Sequence, residues 1–397
     1  MGTERTGNMT KPEMIIENGI CTLRLAGRID SGNAAEVEAA VLASGAKDPM
    51  VLDLEKLEYL SSAGLRVILR IRRAHPGLRI VGAQPEIYNI LEMTGFTALM
   101  KVEKAFRNLS REGCEVIGRG ANGDILRFDT DTVVKIYKGA ESLDDILHER
   151  EMAKKAFIAG IPTAISYDVV KVDGDYASMF EMIDAQSLSQ LLAEHPENTE
   201  AYAEQYAALL KLVHGTPAAE DLPSMKTRVL GWAGTVASSG VLDDVSSAKL
   251  ISLIEAVPET KYMLHGDCHA KNIMLQKGEM ILIDMDTLSC GHPLFEFGTM
   301  YFSYLASSEN DHAAIERFLG FPRETGKRLW KALLRNYYGT DDEMLLKDRE
   351  DAAAVIGRTR FLHHAVRHSD GSEQSRTAIA NSADRLAALL AVRESLV

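Results

Sequence analysis

The first hundred residues switch repeatedly between the two-residue period of a strand and the period of a helix. Apolar and polar residues alternate over 14–17 and 21–25, on either side of Asn18-Gly19, a pair that favours a tight hairpin turn. Spacing and apolar runs then predict a helix over 31–43, a strand over 49–54, a helix over 62–75, a strand over 78–82 and a helix over 85–94. We expect Ser31 to cap the first of these helices and Gly95 to end the last. This alternation predicts one α/β domain over residues 10–106.

The pattern changes near Glu112, where strands follow one another without intervening helices. Apolar runs predict strands over 114–117, 125–128, 133–137, 165–172 and 177–182, and a helix over 143–159. Beyond Ser187 the pattern is helical, except for a strand-turn-strand near 263–283. A second domain over 112–397 is therefore predicted, with an antiparallel sheet (112–184) followed by a mostly helical lobe (185–397).

Composition and charge narrow the classes of function. The chain of 397 residues is 46% apolar and 25% charged, which is ordinary for a globular protein. A net charge of −13 without any basic block argues against nucleic-acid binding. No apolar run approaches the roughly 20 residues that span a bilayer, and no secretion signal is recognisable, so we expect no membrane association. Four cysteines without CxxC spacing are typical of reduced thiols in a cytoplasm.

Four short motifs of the first domain occur in an informative order. They are Gly27-Arg28-Ile29-Asp30-Ser31, Val51-Leu52-Asp53-Leu54, Ser61-Ser62-Ala63-Gly64-Leu65 and Thr94-Gly95-Phe96. In this order they resemble the STAS family, which contains the anti-sigma-factor antagonists and the regulatory tails of sulfate transporters. The resemblance implies a domain for regulation or for binding a protein partner.

Ser62 is the candidate for modification in this domain. In antagonists, the serine two positions before the helix glycine is phosphorylated by a partner kinase, and that position here is Ser62, although the usual preceding Asp is Ser61. A phosphate at a helix N-terminus would meet unsatisfied N–H groups and the positive end of the helix dipole. The alternative is that Ser61 and Ser62 only cap the helix.

A glycine-rich segment opens the second domain. Gly118, Gly120 and Gly123 form a GxGxxG pattern, which dinucleotide-binding folds place between a strand and a helix. Here a strand both precedes and follows the pattern, which predicts a β-hairpin flap. Without Cβ atoms, the glycines would let the flap approach the oxygens of a triphosphate closely.

Lys135 interrupts the apolar strand that follows the flap. A lysine among Val133, Val134 and Ile136 is costly unless its ammonium group meets a counter-charge. The next helix offers Glu151 as our first choice of partner and Glu149 as the second. The alternative is a lysine at a strand edge, in solvent.

The most specific signal lies in the helical lobe. Asp267 and Asn272 stand five residues apart in Leu264-His265-Gly266-Asp267-Cys268-His269-Ala270-Lys271-Asn272, the spacing of a kinase catalytic loop. Twelve residues after Asn272, the apolar strand Ile281-Leu282-Ile283 ends in Asp284. Together these motifs resemble the aminoglycoside phosphotransferase and choline kinase families, from residue 112 to the end of the chain. They imply a two-lobed α+β protein-kinase-like fold.

The resemblance assigns roles around the expected reaction. It implies that Asp267 accepts or orients the proton of the attacking hydroxyl, and that Asn272 and Asp284 hold Mg²⁺ across the phosphates of ATP. One carboxylate and one amide oxygen are the hard ligands that Mg²⁺ prefers.

The resemblance also places the nucleotide. Lys135 would bind the α- and β-phosphates, and the backbone around Glu181 and Ile183 would meet the edge of the adenine. An acidic residue at the position of Glu296 ties down the catalytic loop in these families.

Histidines near these residues permit other interpretations. His265 and His269 are four residues apart with Asp267 between them, so a zinc site is conceivable, although such histidines order the loop by hydrogen bonds in the resembled families. A later helix carries four basic residues that either line a substrate pocket or form an exposed polar face, which we favour. They are Arg360, His363, His364 and Arg367.

The sequence therefore predicts a cytoplasmic enzyme that uses ATP and Mg²⁺ to phosphorylate a hydroxyl of a small molecule, with a STAS-like domain for regulation or partner binding. Two alternatives stay open. The acceptor is a protein serine, Ser62 in cis or a serine on a partner, or the chain is a non-enzymatic scaffold that senses nucleotides.

Overall fold

The computed structural model describes residues 10–17, 19–43, 45, 48–119, 123–137, 143–182 and 185–397. Within these residues the chain forms two compact units. The first comprises the described residues up to Arg111 together with Val169–Asp175, and the second comprises Glu112–Asp168 and Tyr176–Val397.

The first unit is built on a five-stranded sheet in the order β1-β2-β3-β4-β5, in which only β1 runs antiparallel to its neighbour. A short sixth strand pairs in parallel with residues 171–172. The elements are β1 (Thr10–Glu17), β2 (Ile20–Ile29), α1 (Ala34–Ala43), β3 (Met50–Leu60), α2 (Ser62–Ala74), β4 (Arg79–Ala83), α3 (Pro85–Met93), α4 (Phe96–Leu99), β5 (Val102–Lys104) and β6 (Asn108–Leu109).

The core of this unit follows from the sequence pattern. Strands contribute Leu23, Leu25 and Leu52, and helix α2 contributes a stripe at helical spacing, Val67 and Ile71. All of these side chains are buried. The predicted α/β pattern is thus present, with a longer third strand than the apolar run 49–54 indicated.

The starts of helices α1 and α2 involve the serines that the sequence singled out as possible caps. Helix α1 begins at Ala34, because Asn33 and Asp30 form a turn in which Asp30 N–H donates to Asn33 Oδ1, so Ser31 is not its cap. Helix α2 is capped by Ser61, whose side chain accepts a hydrogen bond from Gly64 N at 3.3 Å. Ser62 is the first residue of that helix, and it is exposed.

The second unit begins with strands that pair antiparallel in the order β11-β9-β8-β7. The strands β7 and β8 pair antiparallel, which confirms the predicted hairpin around the glycine-rich segment. The elements of this part are β7 (Glu115–Arg119), β8 (Gly123–Arg127), β9 (Thr132–Tyr137), α5 (Leu143–Ile158), β10 (Ser166–Val172) and β11 (Asp175–Glu181).

The rest of the second unit is mostly helical, as predicted. Its elements are β12 (Gln186–Ser187), α6 (Leu188–Glu194), α7 (Thr199–Gly215), α8 (Met225–Ser238), α9 (Asp244–Glu255), β13 (Met263–Leu264), β14 (Ile273–Gln276), β15 (Glu279–Leu282), β16 (Ser289–Cys290), α10 (Pro293–Tyr304), α11 (Ala314–Leu319), α12 (Arg323–Tyr338), α13 (Glu343–His368) and α14 (Glu373–Val392). Large buried side chains such as Trp330, Tyr206 and Phe297 form its core. None of the helices in the described residues is long and apolar enough to cross a membrane.

Candidate active site

The loop that follows β13 is held by one buried carboxylate. Glu296, on α10 and fully buried, accepts backbone hydrogen bonds from His265 (2.6 Å), Gly266 (3.1 Å) and Cys268 (3.4 Å). Burial raises the pKa of Glu296, but the nearby ring of His214 and the charge and N–H groups of the loop outweigh it and hold this pKa below its ordinary value. The expected tie between Glu296 and the loop is therefore present.

The loop needs glycine at position 266. Gly266 has φ +86°, and a Cβ there would lie 2.5 Å from the carbonyl oxygen of Thr287. Thr287 itself closes the turn, because its hydroxyl donates to His265 O at 2.8 Å. Any other residue would both strain the backbone and push the short turn that contains Thr287 away from the loop.

Asp267 projects from this loop into an ionic contact. Arg360 Nη2, on α13, donates to Asp267 Oδ1 at 3.0 Å, and His269 Nε2 lies 3.5 Å from Asp267 Oδ2. Burial by itself would raise the pKa of Asp267, but Arg360 and His269 lower it by more than burial raises it. The pKa of Asp267 therefore lies below its ordinary value, and the carboxylate stays ionised at neutral pH. From the sequence we favoured an exposed polar face for Arg360. That prediction is wrong, because the side chain is mostly buried and pairs with Asp267.

Asn272 and Asp284 are brought together by backbone pairing. Asn272 ends a 3₁₀ turn, and its Nδ2 donates to Asp267 O at 3.1 Å, which leaves the amide oxygen to serve as an acceptor. Ile283 N donates to Asn272 O at 3.0 Å, so Asp284 follows directly beside Asn272. Asp284 adopts φ +62° and ψ +62°, a left-handed conformation that Asp tolerates better than most residues.

Lys135 lies among carboxylates. Its Nζ is 3.0 Å from both carboxylate oxygens of Glu149 and 3.1 Å from Asp284 Oδ1. Burial would lower the pKa of Lys135, but the charges of Glu149 and Asp284 raise it above its ordinary value. The prediction of a counter-charge is confirmed. Our first choice, Glu151, is wrong: it is half exposed and its nearest cation is Lys154.

The helical phase of α5 explains this correction. Glu149 follows the buried Ile146 by three residues and precedes the buried Ala153 by four, so it shares their face, whereas Glu151 points away. Tyr137 reinforces the choice, because its hydroxyl donates to Glu149 Oε2 at 3.0 Å. Tyr137 was not predicted from the sequence as part of the site. Glu149 could have been predicted, because its spacing from the buried residues of α5 places it on the inner face of the helix.

A third carboxylate crowds this part of the cleft. Desolvation in the cleft, and then the negative charges of Asp284 and Glu149, raise the pKa of Asp286 to about 6. A concentration of carboxylate and amide oxygens fits a hard divalent cation such as Mg²⁺.

Of the two histidines of the loop, His265 is the one whose ring makes hydrogen bonds to the backbone. His265 Nε2–H donates to Ile283 O at 3.0 Å, and His265 Nδ1 accepts from Asp267 N at 3.3 Å, so both ring nitrogens are used by the backbone. Burial lowers the pKa of His269, whose ring packs edge-on against Phe318. The hydrogen bonds of His265 hold the loop in place, which is the role that the resemblance implied.

The residues expected to meet a nucleotide are only partly described. Gly118 lies in β7 opposite Ile125, and a Cβ on Gly123 would overlap the carbonyl oxygen of Ile136, so this glycine is required by strand packing. Glu181 ends β11 and is exposed. Gly120 and Ile183 lie outside the described residues.

Comparisons with known proteins identify two families along the chain. A model of the phosphotransferase enzyme family matches residues 113–333, and a STAS domain model matches residues 11–110. BtrV of Bordetella bronchiseptica, which carries the name of an anti-sigma factor antagonist, is 34% identical over 91 residues, covering 21% of this chain and 78% of that protein.

Solved structures that match this chain include the aminoglycoside phosphotransferase APH(2'')-Ib bound to ADP, at 14% identity and a TM-score of 0.48, covering 70% of this chain and 94% of that one. A choline/ethanolamine kinase family protein from Mesorhizobium loti matches at 15% identity and a TM-score of 0.46, covering 71% and 89%. The predicted order of a STAS domain and a kinase-like fold is confirmed by the two family models. The chain belongs to the phosphotransferase enzyme family and carries an N-terminal STAS domain.

Proposed function

We propose that this enzyme transfers the γ-phosphoryl group of ATP to a hydroxyl of a small molecule. The observation that carries the proposal is the junction of Lys135 with Glu149 and Asp284, each within about 3 Å, beside the loop that presents Asp267. An ammonium group held in this way is positioned to bind phosphate oxygens, and catalysis of this kind depends mostly on positioning and charge neutralisation.

Asp267 is the proposed base. In the reaction the acceptor oxygen forms a bond to the γ-phosphorus, the bond from that phosphorus to the β-phosphate oxygen breaks, and ADP leaves with the electron pair. The hydroxyl proton passes to Asp267, which the neighbouring Arg360 and His269 keep ionised and ready to accept it.

Asn272 and Asp284 would hold Mg²⁺, because they supply an amide and a carboxylate oxygen side by side. When bound, the cation neutralises charge on the phosphates. Gly118, Gly120 and Gly123 would form the flap over these phosphates. The backbone at Glu181 and Ile183 would meet the adenine edge.

The STAS domain is the proposed regulatory part, with Ser62 as its modification site and a protein as its partner. Ser62 is exposed at the first turn of α2, where a phosphate would gain from the helix dipole. Since no disulfide joins the four cysteines, all of which the structure describes, we also place the enzyme in a cytoplasm.

The proposal is tested by incubating wild type and Asp267→Asn with Mg·ATP and a panel of small alcohols. We expect a phosphorylated alcohol and ADP in equal amounts from wild type, and neither from the variant. Phosphosite mapping of the same samples separates the acceptors. Phosphate on Ser62 in wild type alone, without any phosphorylated alcohol, would overturn the hypothesis of a small-molecule acceptor and support self-modification.

A further inference from the structure

Arg360 reaches Asp267 from the helical lobe with its guanidinium held between two aromatic rings. Its central carbon lies 5.7 Å from the ring centre of Trp232, on α8, and 5.1 Å from that of Phe302, on α10. This packing restricts the guanidinium, so that its Nη2 edge meets Asp267.

The other edge of the same guanidinium is unused. Arg360 Nη1 is buried and has no hydrogen-bond partner among the described residues. Buried charged donors are nearly always paired, and an unpaired one in a site calls for an explanation. A ligand that supplies oxygen acceptors at this edge is one explanation, and its position beside Asp267 makes that ligand the acceptor of the phosphoryl group.

Further basic residues lie near Arg360, on α13 and on α8. The helix continues with basic residues that form no ion pair with a carboxylate in the described part of the chain: His363, His364, Arg367 and His368. Burial, and then neighbouring cations such as Arg367 and His368, lower the pKa values of His363 and His364. Arg228, on α8, adds a further cation, which faces Asp286 and Asp267 as well as Arg360.

The helix dipole accounts for only part of this cluster. Basic residues in the last turn of a helix are favoured by its negative end, which explains Arg367 and His368. Arg360 lies two turns earlier and contacts Asp267, so its placement has a different cause.

We propose that the acceptor is an anionic alcohol, whose carboxylate or phosphate group binds Arg360 while its hydroxyl lies at Asp267. This rests on the proposed function. Because Nη1 and Nη2 belong to one guanidinium, the hydroxyl and the anionic group are separated by only a few bonds. A guanidinium fork suits both carboxylate and phosphate oxygens. A polycationic acceptor would face like charges here.

The experiment compares small alcohols of different charge. Glycerate and glycerol 3-phosphate are the carboxylate and phosphate probes, glycerol is the neutral probe of the same skeleton, and choline is the cationic one. With Mg·ATP we expect kcat/KM to be at least about tenfold higher for one of the anionic probes than for glycerol or choline. Arg360→Gln should raise the KM for that probe about 10- to 100-fold, the loss of a charge-assisted contact, and leave the KM for ATP unchanged. Arg360→Lys should recover part of the affinity.

Lys347→Gln is the matched control, since it removes one positive charge from the same helix about 20 Å from Arg360. It should not change the KM of any probe. Preference for glycerol or choline, or an acceptor KM that is the same in wild type and Arg360→Gln, would overturn the anionic acceptor and leave the proposed function standing.

If none of the four probes is phosphorylated, that result counts against the proposed function. A binding measurement then tests the anion site at Arg360 by itself. Glycerate and glycerol 3-phosphate are then titrated calorimetrically into the full chain. Binding that Arg360→Gln weakens at least tenfold, and Lys347→Gln does not, supports the anion site. Equal affinity in all three proteins, or binding to none, overturns it. Thermal unfolding of each variant checks that it folds.

Discussion

Lys135 and Glu149 join strand β9 to helix α5, with Nζ 3.0 Å from both carboxylate oxygens and both side chains largely buried. An ammonium group in an apolar strand is otherwise unfavourable, and here the carboxylate compensates it and fixes its direction. The same nitrogen reaches Asp284, so two ion pairs that share Lys135 connect the strand, the helix and the proposed metal site.

The first prediction concerns the position of Lys135. Glu149→Gln should raise the KM for ATP about tenfold, because the lysine loses the charged hydrogen bonds that aim it. Glu151→Gln is the matched control on the same helix and should behave as wild type, since its side chain is half exposed and away from Lys135. Steady-state kinetics with varied ATP measure both. The reverse result would restore Glu151 as the partner.

Asp267→Asn should lower kcat about 10²- to 10⁴-fold, because the amide cannot accept the hydroxyl proton. Nucleotide affinity should stay close to that of wild type, as the lysine junction is intact. The measurement is phosphorylated product per enzyme over time, with nucleotide binding as the check on folding. Wild-type turnover in this variant would rule out the base assignment.

Asp284→Ala should weaken nucleotide binding when Mg²⁺ is present but not when it is absent, because the substitution removes an oxygen ligand of the cation. The quantity to compare is the ratio of the nucleotide Kd without Mg²⁺ to that with it. We expect this ratio to be large in wild type and near one in the variant. Lys135→Ala provides a contrast, since it should weaken binding in both conditions. A ratio unchanged in Asp284→Ala would argue against this ligand.

Glu296→Gln should lower the free energy of unfolding by about 2 to 4 kcal/mol, because three backbone donors lose a charged acceptor. The pKa of Glu296 in the folded protein lies below its ordinary value of 4.5. The ionised carboxylate therefore stabilises the fold above about pH 4.5, and this contribution is lost as the pH falls from there towards the folded pKa.

Chemical denaturation at several pH values tests both parts of this prediction. Wild type should lose more stability than Glu296→Gln as the pH drops below about 4.5 towards the folded pKa. The exposed Glu279→Gln is the control and should follow wild type throughout. Parallel pH dependence in wild type and Glu296→Gln would contradict the role of this carboxylate.

Cleavage of the chain after Arg111 should yield two folded pieces. The buried cluster of residues 23–100 contains no side chain from the second unit, and the two clusters of residues 152–396 contain none from the first. Each piece therefore keeps its own core. Cooperative thermal unfolding of each piece, expressed separately, is the measurement. If neither piece unfolds cooperatively, the boundary between 106 and 112 is wrong.

The local sequence determined the loop of residues 265–272, which carries the proposed base. Asp267 and Asn272 could be identified because the geometry of the loop is local: Gly266 supplies the positive φ and a short turn places Asn272. The strand that precedes Asp284 is likewise defined by a short apolar run. Lys135 was recognisable because a charge inside such a run requires a partner.

The tertiary structure decided which partners these residues meet. Glu149 rather than Glu151 faces Lys135 because the buried side of α5 sets the phase of the helix, and that phase depends on what the helix packs against. Arg360 follows Asp267 by 93 residues, and only the packing of α13 against α8 and α10 brings its guanidinium to the carboxylate. A periodic pattern shows that a helix has a polar face, whereas long-range packing decides which charge that face presents to the site.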